Sequence, residues 1–279
     1  MQIKELYITK ASGELVPYDG KKLRQSLTKA GADELTVREI AEEVEATLVP
    51  GISSRKIYQK AYALLKKNGR PCAAKYKLKS AVMELGPSGY PFERFVGEIL
   101  KKQGFEVKVG VVMQGKGITH EVDVFGVKGN RQIMVECKFG NTASKKVDVR
   151  VAMYIHSRFR DLRNEWKENP DFRGREYEGW IVTNSRFTED ALNYGTYYGM
   201  NLVSWGFPKE GNLRDLIEAE NLYPITTLTS LTKKEKQKLL DKGIVLCRDL
   251  LGKDELLKSL NIRPTRINKA YQEIEGLCD

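Results

Sequence analysis

Histidine and cysteine are scarce in this chain of 279 residues, which contains two histidines and four cysteines. No two cysteines form a CxxC pair, which argues against a zinc ribbon and a disulfide framework and favours a reducing, cytoplasmic setting. With only two histidines, neither a histidine-rich metal site nor a Ser-His-Asp hydrolase is expected. The chemistry of this chain is therefore sought among its carboxylates and amines.

Long apolar runs are also missing, and no segment approaches the length of a membrane span. The first residues lack the apolar core of a signal peptide. A hydrophobic content of 41% with 30% charged residues is typical of a globular protein in solution, so no membrane partner is expected. The length is sufficient for two or three domains.

Basic residues outnumber acidic ones, 47 to 37, which gives a formal charge of +10. Such an excess predicts a polyanionic partner, either nucleic acid or nucleotide. Most of it lies at the two ends, because residues 1–85 carry 16 basic and 10 acidic side chains, residues 225–279 carry 11 and 8, and residues 86–224 carry 20 and 19. An ordinary basic protein without such a partner remains an alternative on charge alone.

Two junctions divide the chain. Gly86-Pro87-Ser88-Gly89 follows a helical stretch and Pro224 precedes a segment rich in Thr and Ser, so the expected domains are 1–86, 87–223 and 224–279. The patterns predict a multidomain α/β protein, with a mostly helical first domain that holds a small β-hairpin, a central mixed-sheet α/β domain and a small C-terminal helical bundle. Helices of the two end domains are expected after Asp19 and at 36–48, 54–66, 71–85, 232–242, 247–251, 253–260 and 264–275.

Two strands of the central domain bring acids and an amine together. Alternate side chains of a strand share a face, so Glu136 and Lys138 point to one side and Cys137 to the other. On the strand before, Asp123 alternates with two valines in the same way. Burial of such charged groups is costly unless each has a partner. The pattern therefore predicts a site for a hard metal ion with a positive helper.

The central domain resembles the PD-(D/E)xK nucleases, and in particular their Mrr-like restriction endonuclease branch, over about residues 87–223. The pattern of elements matches: a helix at 91–103, strands at 105–112, 120–127 and 131–139, a long helix from about 146 to 163, and strands near 180–183 and 202–205. The resembling residues are Phe92-Glu93-Arg94-Phe95-Val96, Gly104-Phe105-Glu106-Val107, His120-Glu121-Val122-Asp123-Val124, Val135-Glu136-Cys137-Lys138-Phe139 and Ile181-Val182-Thr183-Asn184-Ser185-Arg186-Phe187-Thr188.

Hydrolysis of a phosphodiester in such an enzyme requires a cation between a phosphate oxygen and the attacking water, and Mg²⁺ or Mn²⁺ would supply it. We expect Asp123 and Glu136 as metal ligands, with the backbone carbonyl of Cys137 as a third. Lys138 would orient the water or hold the developing charge. Glu93 would act behind the ligands or at a second metal. As alternatives, Glu136 and Lys138 form an exposed pair on an edge strand and Glu93 lies on the surface.

The first domain resembles an ATP-cone, a regulatory nucleotide-binding module. The resemblance rests on Ile8-Thr9-Lys10-Ala11-Ser12-Gly13, Val16-Pro17-Tyr18-Asp19, Lys21-Lys22-Leu23, Ile52-Ser53-Ser54-Arg55-Lys56-Ile57 and Ala74-Lys75-Tyr76-Lys77-Leu78, although the usual Lys-Arg-Asp-Gly opening is Lys-Ala-Ser-Gly here. It implies that Lys10 and Lys22 contact the phosphates of ATP or dATP, with Ser54 and Val16 near the base or sugar. Alternatively, the basic helices contact DNA through Lys56, Lys60, Lys66, Lys67 and Arg70.

The C-terminal segment resembles a helix-hairpin-helix or SAM-like bundle at Leu239-Leu240-Asp241-Lys242-Gly243-Ile244 and Leu260-Asn261-Ile262-Arg263-Pro264. Such hairpins offer backbone N–H groups to a phosphate, and Arg263, Arg266 and Lys269 would be the side-chain contacts. Lys116, in a flexible Gly-Lys-Gly loop, is a further candidate for phosphate contact. A small protein-binding or dimer-forming bundle is the alternative for this segment.

Together these patterns favour an Mg²⁺-dependent endodeoxyribonuclease that is tuned by ATP or dATP and grips DNA with its C-terminal bundle. A homodimer is expected, because two such sites cut two strands. The main alternative is a nucleotide-responsive DNA-binding regulator with little or no nuclease activity. A structure-specific nuclease that acts on junctions or RNA is a third hypothesis.

Overall fold

The structure is a computed structural model. It describes residues 6–10, 12–142, 145–172 and 174–278. Ala11 and the side chain of Arg70, both part of sequence-based expectations, lie outside this description. The described chain forms two compact units. The first comprises the residues up to Ser80, Thr227–Lys233 and the chain from Leu251 onwards, and the second comprises Ala81–Thr226 and Lys234–Leu250. The division into three domains stays a prediction.

The first part of the chain is a small hairpin followed by helices, as expected. Its elements are β1 (Tyr7–Thr9), β2 (Leu15–Pro17), α1 (Gly20–Lys29), α2 (Glu34–Glu45), α3 (Ser54–Asn68), α4 (Arg70–Tyr76) and α5 (Leu78–Met83). Asp19 and Ser53 cap α1 and α3, because their side chains accept the N–H groups of Lys21 and Lys56. Apolar residues of α1, α2 and α3 form one hydrophobic cluster, including Leu27, Ile40, Ala41, Ala61 and Leu65.

The prediction of a single helix over 71–85 is wrong in one respect, because two helices occupy this stretch. α4 ends at Tyr76, and the N–H of the C-cap residue Lys77 donates to the carbonyls of both Ala73 and Ala74. α5 begins at Leu78. Neither glycine nor proline marks this break, so the sequence offered no signal for it.

The central part of the chain builds a mixed five-stranded sheet. Its elements are α6 (Tyr90–Lys102), β3 (Glu106–Gln114), β4 (Thr119–Lys128), β5 (Arg131–Lys138), β6 (Lys146–Val147), α7 (Val149–Glu168), β7 (Glu176–Thr183), β8 (Arg186–Phe187), α8 (Glu189–Tyr197), β9 (Asn201–Val203) and α9 (Leu213–Ala219). The strand order is β3-β4-β5-β7-β9, with antiparallel pairs among β3, β4 and β5 and parallel pairs among β5, β7 and β9. The expected mixed sheet and the expected sequence of strands along the chain are confirmed, and the short β6–β8 pair and α9 are additions. The long helix expected from about 146 begins at Val149, because residues 146–147 form β6.

The hydrophobic core of this sheet explains why the charged face is where the sequence predicts. Met134 of β5 packs in the cluster around α7, together with Ile155, Leu162 and Trp166. Side chains alternate along β5, so Glu136 lies on the same face as Met134 and is directed towards α7. The C-terminal end of β5 therefore carries a charged group at the border of an apolar layer.

The end of the chain is helical, as expected. Its elements are a 3₁₀ turn (Ile225–Thr227), α10 (Lys233–Asp241), a second 3₁₀ turn (Arg248–Leu250), α11 (Asp254–Ser259) and α12 (Pro264–Cys278). α12 packs against α4 within the first unit, and its buried Glu273 accepts the N–H groups of Thr229 and Ser230 at 2.6 and 3.0 Å. Within the described residues, no helix combines the length and the apolar character that crossing a bilayer requires.

Gly179 provides a test of how tightly α7 packs on the sheet. A Cβ at this position of β7 would collide with the ring of Phe159 on α7. We expect Gly179→Ala to lower the free energy of unfolding by about 1–3 kcal/mol, because overpacking forces either the ring or the helix to move. Urea denaturation measures the change.

Gly206→Ala is the matched control, since a Cβ there meets nothing within 4 Å. Equal stability of the two variants would show that α7 does not press on β7 as the structure places it.

Candidate active site

The two expected ligands lie side by side where β4 and β5 pair. Val124 is opposite Val135 in the antiparallel register, which places Asp123 next to the end of β5. The Oδ2 atom of Asp123 accepts the backbone N–H of Cys137 at 2.7 Å. The side chain of Asp123 is half-buried and that of Glu136 is buried. The two carboxylates therefore share one environment instead of diverging into solvent.

Glu136 is held between two cations. The Nζ atom of Lys138 lies 2.6 Å from its Oε1 atom, and Nη1 of Arg158 lies 2.7 Å from its Oε2 atom. Arg158, on α7, also donates to the carbonyl oxygen of Glu121. Sequence reasoning missed Arg158, because it lies 22 residues from Glu136. Its one sequence signal is an arginine beside the buried Phe159 on an amphipathic helix, which is a common arrangement.

A third carboxylate is close enough to interact with these two. Glu93 is half-buried on α6, and burial, together with the charges of Asp123, Glu121 and Glu136, raises its pKa to about 7. Burial and the neighbouring Glu136 raise the pKa of Asp123 to about 6, although the Cys137 N–H and nearby Lys138 oppose this rise. Negative charge in this region is therefore incompletely balanced.

The charge of the cluster fits a divalent cation. The carboxylates of Glu93, Glu121, Asp123 and Glu136 outnumber the two cations of this region, Lys138 and Arg158, which leaves an excess of two negative charges when all are ionised. Within the described residues, no three His, Cys, Asp or Glu side chains form a ready metal cage. An ion at this place would take Asp123 and Glu136 as ligands and keep several waters, as Mg²⁺ commonly does.

Cys137 does not offer a thiolate to such an ion. Its side chain is buried, and burial raises the pKa of the thiol well above its usual value. The thiol stays neutral near pH 7, so only the backbone carbonyl of Cys137 suits a hard cation. That third ligand stays a prediction.

Buried polar groups fix the chain just after the lysine. Thr183 Oγ1 donates to the carbonyl oxygen of Lys138 at 2.6 Å. The side-chain amide of Asn184 binds both backbone groups of Gly140, with its Oδ1 accepting at 2.7 Å and its Nδ2 donating at 2.9 Å. Both side chains are buried at the end of β7. They hold the end of β5, and with it the position from which Lys138 extends.

The expected nucleotide-binding residues of the first unit line one cavity of about 310 Å³. Lys10 and Lys22 lie on its wall together with Val16 and Ser54. The wall is completed by aromatic and aliphatic side chains, among them Tyr18, Tyr58, Tyr76 and Ile57. The rings of Tyr58 and Tyr76 are stacked, with centroids 5.0 Å apart. The cavity is thus lined by aromatic rings and by two amines.

The loop that contains Lys116 is not the flexible segment expected. Asp161 of α7 accepts the N–H of Gly117 at 2.9 Å and lies 2.8 Å from Nε2 of His120. The ammonium group of Lys116 pairs with Glu168. Because the turn is tied to α7 in this way, Lys116 would have to leave Glu168 before it could contact a phosphate. The phosphate contact of Lys116 stays a prediction.

The C-terminal hairpins differ from the expectation in their backbone. The N–H groups of Gly243 and Ile244 donate to carbonyls of α10, and those of Asn261 and Ile262 donate to carbonyls of α11. These amides are therefore not available to a phosphate. Of the predicted side-chain contacts, Arg263 and Lys269 are exposed, whereas Arg266 donates to the carbonyl of Ser230 at 2.8 Å.

Comparison with known proteins adds two domain matches. Residues 86–205 match the catalytic domain of Mrr, described as a restriction endonuclease, and residues 223–278 match the family described as AF1548-like, C-terminal. The chain is 30% identical over 179 residues to an uncharacterized protein of Archaeoglobus fulgidus, covering 64% of this chain and 97% of the relative.

Among solved structures, one matches this chain at the same level of identity as the relative from Archaeoglobus fulgidus. The crystal structure of AF1548, a protein of unknown function, superposes with a TM-score of 0.54 at 30% identity, covering 68% of this chain and 96% of AF1548. A repair endonuclease from Pyrococcus abyssi is 21% identical with a TM-score of 0.28, over 39% of this chain and 41% of that one. The second likeness is too low to support any conclusion.

The raised pKa of Asp123 predicts a pH-dependent stability. Its carboxyl titrates near 6 in the folded chain and near 3.9 when unfolded, so above pH 6 the ionised group destabilises the metal-free fold. We expect Asp123→Asn, which keeps an acceptor for the Cys137 N–H, to raise the free energy of unfolding by about 1–3 kcal/mol at pH 8. The gain should fall by about half at pH 5.

Urea denaturation in EDTA at both pH values measures this gain. Glu176 serves as the control, because its carboxylate is exposed and lies at the end of β7 that is away from the site. Glu176→Gln should change the free energy of unfolding little at either pH. A stability gain for Asp123→Asn that is the same at pH 8 and pH 5 would contradict the raised pKa.

Proposed function

The chain belongs to the family of AF1548 and contains an Mrr-type restriction endonuclease domain. From this premise we propose that it is a divalent-metal-dependent DNA endonuclease. The observation that carries the proposal is the buried carboxylate of Glu136, which lies beside Asp123 and within 2.6 Å of an amine. A protein that only binds DNA has no need of this arrangement.

Each residue of the cluster has a task in hydrolysis. Asp123 and Glu136 would hold Mg²⁺ or Mn²⁺, with the Cys137 carbonyl as a further ligand. The ion, when bound, polarises the phosphate and lowers the pKa of a bound water. Lys138 orients that water or holds the charge that develops on the phosphate, for which a flexible ammonium is suited. Glu93 acts behind the ligands, where its raised pKa allows it to hold a proton near pH 7.

The proposed substrate is DNA. The net charge of +10 supports a polyanion, and the exposed side chains of Arg263 and Lys269 suit phosphate contacts that carry no sequence information. Arg266 and Lys116 belong to the same proposed set. We propose that the active form is a homodimer, because a single site of this kind cuts one strand. The oligomeric state in solution tests that part of the proposal.

We further propose that ATP or dATP binds the cavity of the first unit and tunes the nuclease. What supports this proposal is the convergence of Lys10, Val16 and Lys22 with Ser54 on one cavity, although Ser54 lies far along the sequence from the other three. Two amines suit a triphosphate, and the stacked rings of Tyr58 and Tyr76 suit a purine base.

A nucleotide-responsive DNA-binding regulator with little nuclease activity is the second candidate. The basic ends of the chain favour it equally, because they serve binding and not hydrolysis. The cluster around Glu136 separates the two candidates, and cleavage assays decide between them.

Substitution of the ligands tests the nuclease directly. We expect Asp123→Ala and Glu136→Ala each to abolish cleavage of plasmid DNA in Mg²⁺ or Mn²⁺, a loss of at least about 100-fold, because the cation loses one of two carboxylates. Lys138→Ala should lose a similar factor. DNA binding, measured by fluorescence anisotropy, should change little.

Glu176→Gln is again the control and should cleave as the wild type does. Wild-type cleavage rates in both ligand variants would show that the site is wrongly assigned. A wild-type protein that binds DNA and cleaves no plasmid, linear or branched substrate would favour the regulator.

Nucleotide binding is tested at the amines of the cavity. Lys22→Ala should weaken ATP or dATP binding about tenfold, since a hydrogen bond to a charged phosphate contributes on the order of 1.5 kcal/mol. Isothermal titration calorimetry measures the affinity. Lys29→Ala, an exposed lysine on the same helix outside the cavity, should bind as the wild type does. Equal losses at both lysines would indicate a general effect of charge.

A further inference from the structure

The two oxygen atoms of Glu136 are not equivalent. Lys138 contacts Oε1 and its side chain is 38% exposed, whereas Arg158 contacts Oε2 and its side chain is only 16% exposed. The carboxylate itself is nearly inaccessible, with 7% of the side chain exposed. A buried carboxylate that loses both partners would be strongly destabilising. Whatever binds Glu136 must therefore replace one cation and leave the other in place.

Arg158 is the cation that is anchored. Its guanidinium donates to the backbone carbonyl of Glu121 as well as to Glu136, so it links β4 to β5 from α7. The guanidinium carbon also lies 5.8 Å from the ring centroid of Tyr154, one turn earlier on the same helix. Lys138 has one hydrogen bond to Glu136 and a flexible stem that extends into partly open space. Exchange at Oε1 therefore disturbs fewer contacts than exchange at Oε2.

We propose that Arg158 is a positioning residue for the metal site: it holds Glu136 by Oε2, so that Oε1 alone exchanges the ammonium of Lys138 for a divalent cation. This inference rests on the proposed nuclease function. A cation held on Oε1 would take the place of the Lys138 ammonium, and Lys138 would then be free to act near the water and the phosphate. Arg158 itself touches neither and stays on the carboxylate throughout.

The charge of Arg158 lowers the affinity for a divalent cation, whereas its contact with Oε2 supports the cleavage rate. The proposal therefore predicts opposite changes of affinity and rate when Arg158 is replaced. A guanidinium 2.7 Å from a ligand carboxylate repels an incoming divalent cation, so its neutral replacement should strengthen metal binding. The same replacement frees Oε2, and the carboxylate can then rotate or bind the ion through both oxygens. A ligand displaced in this way slows the chemical step, because the water is no longer held in line with the phosphate. Affinity and rate should therefore move in opposite directions.

The experiment uses the full chain with Arg158→Met, which keeps much of the side-chain volume and removes the charge, and Arg158→Lys, which keeps the charge and loses the two-pronged contact. Arg160→Met, an exposed arginine on the same helix, is the matched control. Mn²⁺ binding without DNA is followed by the EPR signal of the free ion. Cleavage of plasmid is measured in single turnover at saturating Mn²⁺.

We expect Arg158→Met to bind Mn²⁺ about three- to tenfold more tightly than the wild type and to cleave at least about tenfold more slowly. Arg158→Lys should recover part of the rate with near wild-type affinity, and Arg160→Met should match the wild type in both. If Arg158→Met does not fold, the wild-type rate in Arg158→Lys is the overturning result, because a lysine cannot reproduce both contacts of the guanidinium.

Two outcomes overturn the positioning role while leaving the nuclease intact. One is a wild type that binds Mn²⁺ and cleaves, with Arg158→Met cleaving at the same rate. The other is a parallel loss of affinity and rate in Arg158→Met, which would make Arg158 a general support of the site. A wild type that neither binds Mn²⁺ nor cleaves overturns the proposed function itself, and the role of Arg158 with it.

Discussion

The carboxylate of Glu136 is buried at the end of β5 and is tolerated there only because Lys138 and Arg158 both reach it. Removal of one partner from such a buried pair typically costs about 3–5 kcal/mol. The pairing therefore constrains the surrounding structure: Arg158 fixes α7 relative to the strands, and the end of β5 cannot move without loss of its partners. The fold and the candidate site depend on the same contact.

The contact leaves negative charge in excess around it. Glu93 and Asp123 have raised pKa values because burial and neighbouring carboxylates disfavour their ionised forms. Like charges held together by the fold are unfavourable without a counter-ion, and such perturbed pKa values cluster at functional sites, which supports the proposed metal site. Thr183 and Asn184 hold the strand end in place, so the site does not relax by spreading its charges apart.

Much of this could be predicted from local patterns, and the remainder depends on contacts between distant residues. Alternation along β5 places Glu136 and Lys138 together, and Asp19 and Ser53 mark helix starts through their own capping hydrogen bonds. Arg158 could not be identified, since its role is defined by a carboxylate on another element. The β6–β8 pair has two residues in each strand, too few to show alternation. The cavity of the first unit brings together positions as distant in the sequence as Lys10 and Tyr76. Local patterns did not connect these two positions, and only the resemblance to an ATP-cone included both.

The most direct measurement of the central claim is anomalous diffraction from crystals of the wild-type protein soaked in Mn²⁺. A single strong peak is expected between Asp123 and Glu136, at about 2.0–2.3 Å from a carboxylate oxygen of each, with Arg158 still on the second oxygen of Glu136 and Lys138 displaced from the first. An empty map at this position, or a peak at other acidic residues while Glu136 keeps both cations, would contradict the account.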